Sequence, residues 1–298
     1  MAKKILFSAK LEHDVIKKVV PLLKSEVKDF DLVLHDPTKD FLDLEKAFDL
    51  FGNVDFFVVK VGSECSLDLL HFAKLHNIPS LHDIDTVLMC KNKVSLDFAL
   101  RDVFSRHSDN LNKFLLPKSW THSLMGLEIF KEWASYHMPL VIKSHYQHDK
   151  YMRFTFLVNK IEDIDKFCKM YSNFLYYNVY IQEFIESDGV DRKIYVVGDD
   201  IFGIMRENPI YIYLKNNVDS INVDEIERET FEVPESMKNL AQIISRELDL
   251  KIFGFDLIKP INQEKYYLVD LNDFPGLRGI ENIEKILSNY ITNLIKKS

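Results

Sequence analysis

The chain has 298 residues, 47% of them hydrophobic and 28% charged, and a formal net charge of -8 at pH 7. A chain of this length is too long for one small module and can form two or three domains, each with its own core. The acidic balance argues against a general nucleic-acid or anionic-membrane surface, although a local cluster of basic side chains can still bind an anionic ligand.

The N-terminal residues and the cysteines indicate a cytoplasmic globular protein. The apolar run at residues 5–7 is too short for a signal-peptide core or a membrane span. Cys65, Cys90 and Cys168 are odd in number and widely spaced, which fits neither a disulfide framework nor a CxxC metal site. We therefore expect core thiols and a monomer without a membrane or nucleic-acid partner.

The first third of the chain alternates between helical and extended patterns. Its predicted elements are, in chain order, a helix at residues 15–23, strands at 31–34 and 55–60, a helix at 66–76, an extended segment at 78–81 and a long helix at 93–104. This alternation is typical of an α/β domain. We place that domain at residues 1–90.

The middle and last thirds are richer in strands. The predicted elements here are a helix at 126–136, strands at 140–143 and 153–158, a helix at 161–171, strands at 179–185, 193–198 and 201–205, a helix at 237–248, strands at 252–259 and 265–271, and a helix at 280–296. They predict a central β-rich domain at residues 91–186 and a third domain at 187–298.

The nine glycines of the chain spell neither GxxxxGK[ST] nor GxGxxG. A P-loop and a Rossmann fingerprint are therefore both absent. A nucleotide would have to be bound by another architecture.

A predicted hairpin in the last third brings three oxygen-bearing side chains together. Asp270 and Asn272 are two residues apart on one strand and so point to the same face, and a short loop at residues 262–264 places Asp256 opposite Asp270. Facing carboxylates repel each other, so neutralising one would relieve strain, and a cation between them removes the conflict. Hard oxygen ligands point to Mg²⁺. The alternative is that both are ordinary turn or strand-end aspartates.

Four segments of the chain follow the pattern of a known family. They are Val-Ile-Lys-Ser at 141–144, Val-Tyr-Ile-Gln-Glu-Phe-Ile at 179–185, Arg-Lys-Ile-Tyr-Val-Val-Gly at 192–198, and Asp256 with Asp-Leu-Asn-Asp-Phe-Pro-Gly at 270–276. In these segments the chain resembles the inositol 1,3,4-trisphosphate 5/6-kinase family of the ATP-grasp superfamily. The resemblance covers nearly the whole chain and implies an α/β fold of three domains, with ATP between the central and C-terminal domains.

The resemblance implies sites for ATP and magnesium. The implied ATP-binding residues are Lys91, Lys143, Gln182, Glu183, Phe184, Ile185, Lys193, Arg206 and Asn208. Lys143 would contact phosphates, and residues 182–185 would hold the adenine, partly through backbone groups. The implied magnesium ligands are Asp256, Asp270 and Asn272, and the implied catalytic residues are Lys193, Asp270 and Asn272. Lys143 could also extend to solvent, and Lys91 and Arg206 could be surface charges.

The resemblance also implies an inositol phosphate site. The implied substrate-binding residues are Lys10, Lys60, His148, Lys193, Asn272 and Gly276. The chain departs from the family at Asp149, where glycine is expected, and at Arg153, where a second histidine is expected. These departures affect the loop that approaches the phosphates, although Arg153 could replace the missing phosphate donor.

The expected activity is therefore transfer of a phosphoryl group from ATP to an inositol polyphosphate. The resemblance implies the 5- or 6-hydroxyl of inositol 1,3,4-trisphosphate and the 1-hydroxyl of inositol 3,4,5,6-tetrakisphosphate as acceptors. One alternative is an ATP-grasp ligase that joins a carboxylate to an amine. The other is a regulatory module that binds nucleotide without turnover.

Overall fold

The structure is a computed structural model with three sheets. It describes residues 3–26, 30–146, 153–175, 177–216, 222–223 and 225–297. The first sheet is formed by residues 3–59, the second by residues 119–183, and the third by residues 190–273 together with the short strand at 114–115. Among the described residues, no helix is both long enough and apolar enough to cross a membrane.

The N-terminal sheet is parallel and carries helices on both faces. Its strands are β1 (Lys3–Ser8), β2 (Phe30–His35) and β3 (Phe56–Val59), in the order β2-β1-β3. Its helices are α1 (Ile16–Glu26), α2 (Ala47–Phe51) and α3 (Glu64–Leu75). Because side chains alternate along a strand, Ile5 and Phe7 face one core while Leu6 faces the other.

The central sheet is antiparallel. Its strands are β5 (Ser119–Ser123), β8 (Asn178–Glu183), β6 (Leu140–Ser144) and β7 (Thr155–Val158), in that spatial order. Two helices pack on it, namely α6 (Leu127–Ser135) and α7 (Ile161–Met170), and a short 3₁₀ helix spans Ser172–Phe174. The apolar stripe of each helix enters one core with the sheet, through Phe130, Ile164 and Phe167.

The C-terminal sheet has six strands. They are β11 (Glu229–Phe231), β10 (Asp200–Glu207), β9 (Val190–Val197), β12 (Ile252–Ile258), β13 (Tyr266–Asp273) and β4 (Phe114–Leu115), in that spatial order. The remaining helices are α4 (Ile84–Lys91), α5 (Lys93–Arg106), α8 (Pro209–Asn216), α9 (Glu235–Glu247) and α10 (Ile283–Lys297). Helix α10 also packs on α1, which joins the two ends of the chain.

The segment that enters the central domain packs on the C-terminal sheet. Leu96, Leu100 and Val103 of α5 share a core with α9 and with the strands β9, β12 and β13. Strand β4 then pairs with the edge of β13. The predicted boundary near residue 90 falls within α4, and the central sheet itself begins at Ser119.

The hairpin of β12 and β13 forms with the predicted register. Asp256 is the direct cross-strand partner of Asp270, and Gly254 is that of Asn272. A register shift follows Asp256 within the same pair of strands. By contrast, the extended segment predicted at residues 78–81 forms only an isolated bridge between Phe57 and Ser80.

Candidate functional site

A cavity of about 290 Å³ lies between the central and C-terminal sheets. It is lined by seven of the nine residues predicted to bind nucleotide: Lys143, Gln182, Glu183, Phe184, Ile185, Arg206 and Asn208. Lys91 and Lys193, the other two, lie outside its lining. Asp256 and Asp270 are also in the wall, whereas Asn272 is not, so two of the three predicted metal ligands share the cavity with the predicted nucleotide-binding residues.

The wall formed by the end of β8 is aromatic and apolar. The ring of Phe184 lies 5.9 Å from that of Tyr211, with 30° between their planes. The backbone N–H groups of Glu183 and Phe184 donate to the carbonyls of Lys118 and Pro139, at 2.9 and 3.1 Å. These two N–H groups therefore already have partners, and the surface presented to a flat ring includes the Phe184 and Tyr211 side chains.

Two lysines, Lys143 and Lys93, also line the cavity. Lys143 donates from Nζ to Gln182 Oε1 at 2.6 Å and to the Val269 carbonyl at 2.9 Å. Burial lowers the pKa of Lys143 from 10.5 to about 8, although the nearby Asp270 opposes this shift. A buried ammonium of this kind gains from a bound anion, which suits phosphate groups.

Lys93 is a cavity residue that the sequence analysis missed. Its ammonium contacts Asp270, and its side chain is buried. Lys91, which was predicted in this role, pairs with the buried Asp273 at 2.6 Å. The two lysines diverge because α4 ends at Lys91 and α5 begins at Lys93, with Asn92 capping the new helix.

Arg206 and Asn208 meet at a buried carboxylate. Both donate to Asp191, Arg206 at 3.2 Å and Asn208 at 2.5 Å. Burial raises the pKa of Asp191, and the charge of nearby Asp256 raises it further. Asp191 thus fixes two predicted nucleotide-binding side chains at the cavity wall, a role that no local pattern in the sequence indicates.

The facing aspartates of the hairpin each have a lysine partner. Lys193 contacts Asp256, and Lys93 contacts Asp270. The Asn272 amide donates to Asp270 Oδ2 at 2.8 Å. Burial would raise the pKa of Asp270, but the charges of Lys93 and Lys143 outweigh it and hold that pKa below its usual 3.8.

This cluster fits a hard divalent cation. Two carboxylates and an amide lie side by side on adjacent strands, and carboxylate and amide oxygens are the ligands that a hard divalent cation prefers. Among the described residues no group of three or more His, Cys, Asp or Glu side chains could hold a metal. The coordination of a magnesium ion at this site would therefore have to be completed by oxygens of a bound phosphate or of water, as is usual for magnesium.

Among the described residues predicted to bind substrate, Lys193 and Asn272 lie on the C-terminal sheet beside the two aspartates, whereas Lys60 belongs to the N-terminal domain. Lys60 follows β3 and donates to the carbonyls of Phe274 and Pro275, the latter at 3.1 Å. These carbonyls belong to the loop that joins Asn272, near the end of β13, to Gly276, so Lys60 contacts the segment between these two residues. Lys10 is exposed.

His13 is a second residue that the sequence analysis missed. A methyl group added at Gly276 would lie 3.5 Å from His13 Nε2. The other ring nitrogen accepts from the Val15 N–H at 3.3 Å, so Nε2 carries the hydrogen of the neutral ring. Burial, together with the charges of Lys60 and Arg278, lowers the pKa of His13 to about 4.

Positive charge accumulates around Lys60. Burial and the charges of Lys91 and Arg153 together lower its pKa from 10.5 to about 7, against the opposing charge of Asp273. Arg153 is exposed. His148 and Asp149, which belong to the same predicted loop, lie outside the described residues.

Comparison with protein families and curated sequences supports the resemblance. Residues 212–293 match the family described as inositol 1,3,4-trisphosphate 5/6-kinase ATP-grasp domain. The chain is 28% identical over 134 residues to inositol-tetrakisphosphate 1-kinase 1 of Oryza sativa subsp. indica, which is 39% of this chain and 38% of that protein. It is 30% identical over 110 residues to a probable alpha-L-glutamate ligase of Xanthomonas euvesicatoria, covering 37% and 35% of the two chains. The chain thus spans less than half the length of both curated relatives.

Comparison with solved structures establishes the fold. A RimK domain ATP-grasp protein from Sphaerobacter thermophilus superposes with a TM-score of 0.69 at 14% identity, over 97% of this chain and 99% of that one. D-alanyl-alanine synthetase A from Vibrio cholerae superposes with a TM-score of 0.69 at 12% identity, over 100% of this chain and 98% of that one. The predicted α/β ATP-grasp fold is confirmed.

Proposed function

Because the chain has the ATP-grasp fold and resembles the inositol 1,3,4-trisphosphate 5/6-kinase domain, we propose that it is a kinase that uses ATP and Mg²⁺ to phosphorylate inositol polyphosphates. Inositol 1,3,4-trisphosphate, at its 5- or 6-hydroxyl, is the first acceptor to test. Inositol 3,4,5,6-tetrakisphosphate, at its 1-hydroxyl, is the second. We propose that the chain acts as a cytoplasmic monomer.

The surroundings of Lys60 are the observation that supports a polyphosphate acceptor. Its ammonium bonds the backbone of the loop that follows Asn272, and Lys91 and Arg153 add positive charge nearby. A lysine whose pKa falls to about 7 beside other cations is poised to gain from an anion. A ligand with several phosphates would neutralise this charge better than an amino acid would.

The nucleotide would lie in the cavity between the two sheets. Phe184 and Tyr211 would face the adenine, and Lys143 and Lys93 would face the phosphates. Asp256, Asp270 and Asn272 would hold magnesium, which would neutralise phosphate charge when bound. Together these side chains would fix the γ-phosphoryl group beside the acceptor.

In the proposed reaction, a hydroxyl oxygen of the inositol ring attacks the γ-phosphorus in line. The new oxygen–phosphorus bond forms as the bond to the β–γ bridging oxygen breaks, and ADP leaves with that electron pair. Lys193 sits beside Asp256 and would offset charge that develops on the transferred group. The hydroxyl proton is lost late, because a loose transition state requires little proton abstraction.

A ligase is the second candidate, and the similarity to a probable alpha-L-glutamate ligase favours it. A ligase would pass the γ-phosphoryl group to a carboxylate and then replace it with an amine. Both candidates need the same nucleotide site, so the acceptor decides between them.

The deciding experiment offers the purified chain Mg-ATP with a panel of inositol polyphosphates and, separately, with glutamate and amine acceptors. Products are separated by charge and identified by mass. We expect an inositol species to gain one phosphate, with Asp270→Asn as the inactive control. Ligation of an amino acid without any inositol phosphorylation would replace the kinase by the ligase. Nucleotide binding without turnover of any acceptor would support the regulatory module instead.

A further inference from the structure

A chain of side-chain hydrogen bonds runs from the phosphate wall of the cavity to helix α5. Lys143 Nζ donates to Gln182 Oε1 at 2.6 Å, and Gln182 Nε2 donates to the Tyr180 hydroxyl at 3.0 Å. The Tyr180 hydroxyl then donates to Asp97 Oδ1 at 2.8 Å. Gln182 and Tyr180 are buried, so water competes little for these bonds.

The ionised Asp97 carboxylate determines which group donates and which accepts in each of these hydrogen bonds. An ionised carboxylate can only accept, so the Tyr180 hydroxyl must donate to it. The Tyr180 oxygen then accepts from the amide nitrogen of Gln182, which turns the amide oxygen toward Lys143. Burial raises the pKa of Tyr180, and the charge of Asp97 raises it further, so the hydroxyl keeps its proton.

Asp97 is itself held in place from the other side. Its Oδ2 atom accepts from Arg101 Nε at 2.7 Å and from Ser119 Oγ at 3.0 Å. Arg101 also donates to the Pro117 carbonyl at 2.7 Å. Because Ser119 begins β5 and Pro117 precedes it, the carboxylate is anchored where the chain enters the central sheet.

This series of hydrogen bonds connects the central sheet to the helix that packs in the C-terminal core. Lys143, Gln182 and Tyr180 belong to adjacent strands of the central sheet, in which Lys143 is the cross-strand partner of Tyr180. Asp97 belongs to α5, whose apolar face is part of the C-terminal core. The position of the Lys143 ammonium, which also bonds the Val269 carbonyl, therefore depends in part on a residue of the helix that packs in the C-terminal core.

We propose that Asp97 and Tyr180 are positioning residues for nucleotide binding, which fix the Gln182 amide so that its oxygen holds the Lys143 ammonium at the phosphate side of the cavity. This inference rests on the proposed function, because Lys143 is taken to contact ATP phosphates. Neither residue lies at the reacting atoms. Their effect is transmitted through Gln182.

The test compares nucleotide affinities of Tyr180→Phe and Asp97→Asn with those of the parent chain. Calorimetry is run with Mg-ADP and, separately, with adenosine, which has no phosphate. Losing the fixed amide should weaken Mg-ADP binding about tenfold, the scale of one hydrogen bond to a charged group. Adenosine binding should stay unchanged, because Phe184 and Tyr211 are untouched. A general loosening of the two domains would weaken both ligands alike.

Asp102→Asn is the matched control. Asp102 lies on the same helix and pairs with Arg106 four residues on, as Asp97 pairs with Arg101. Its substitution should leave both affinities unchanged.

Three results would overturn the inference: unchanged Mg-ADP affinity in Tyr180→Phe, equal losses for Mg-ADP and adenosine, or a loss in Tyr180→Phe that Asp97→Asn does not share. The assay contains no acceptor. Failure to phosphorylate inositol would therefore overturn the proposed function without affecting this result.

Discussion

Replacement of Asp270 by asparagine tests the metal site and the lysine pairs together. The change keeps the shape of the side chain but removes the charge that Lys93 and Lys143 face. The side chain of Lys93 is 6% exposed and that of Asp270 is 29% exposed. Breaking a buried ion pair costs roughly 3–5 kcal/mol, and the partial exposure and the remaining amide oxygen reduce this to about 2–3 kcal/mol.

We therefore expect Asp270→Asn to melt about 3–5 °C below the parent chain at pH 7 and without added metal. Because the folded pKa of Asp270 is lowered, its contribution to stability is fully present above its ordinary pKa of 3.8 and is lost as the pH falls through the folded value. The difference in Tm should thus persist from pH 7 to about pH 4 and shrink in stronger acid.

The same variant should lose activity. Losing one proposed metal ligand should cost about 3 kcal/mol or more of transition-state stabilisation, which lowers kcat about 10²-fold. Phosphoryl transfer is followed at saturating Mg-ATP. Asp188→Asn is the control, since Asp188 has a similar exposure of 32% and pairs with Arg192 outside the metal cluster. A variant that melts early yet turns over normally would refute the metal site, and one that melts with the parent chain would refute the ion-pair argument.

Three further predictions concern the substrate side. Polyphosphate binding should favour the protonated form of Lys60, whose pKa in the free chain is about 7. Calorimetry in buffers of different ionisation enthalpy should therefore show proton uptake on binding, and the Kd for the polyphosphate should rise above pH 7. Lys60→Met should abolish most of that proton uptake and leave the Mg-ADP affinity unchanged. Gly276→Ala should leave Tm unchanged, because its methyl would meet His13 Nε2 at an ordinary 3.5 Å, yet should raise KM for the inositol phosphate; a fall in Tm with unchanged KM would contradict this. Raising ionic strength should raise the same KM more than it changes Tm, because exposed charges are strongly screened, and equal insensitivity of both would contradict an electrostatic site.

The parts of the site that could be predicted from sequence are those set by local geometry. Strand periodicity and a short loop determine which residues of a hairpin face one another, and the pairing of Asp256 with Asp270 followed from these alone. The segment at residues 182–185 was likewise found at the cavity wall, because a strand end fixes where its side chains lie. Local periodicity is therefore enough to predict which side chains of these strands lie on the same face.

Other parts of the site depend on contacts between distant segments. Asp191 binds Arg206 and Asn208 only because β9 and β10 are adjacent. Tyr211 reaches the cavity wall beside Phe184 from α8, a helix that no strong pattern predicted. Strand β5 was missed because its residues are mostly polar and it pairs at a sheet edge. Secondary-structure propensity and hydrophobic periodicity do not predict which distant segments become neighbours in the fold.

The two lysine–aspartate ion pairs reverse the stability change that the sequence alone predicts for Asp270→Asn. From the sequence, two facing aspartates repel, and neutralising one should stabilise the chain without metal. In the structure, Lys193 and Lys93 each contact one of the two carboxylates, so each negative charge already has a counter-ion. Removing the charge of Asp270 then leaves a buried ammonium with a weaker partner, which costs more than the relieved repulsion returns. The expected sign of the stability change is therefore negative, and the reversal is due to Lys93, which is 177 residues away in sequence.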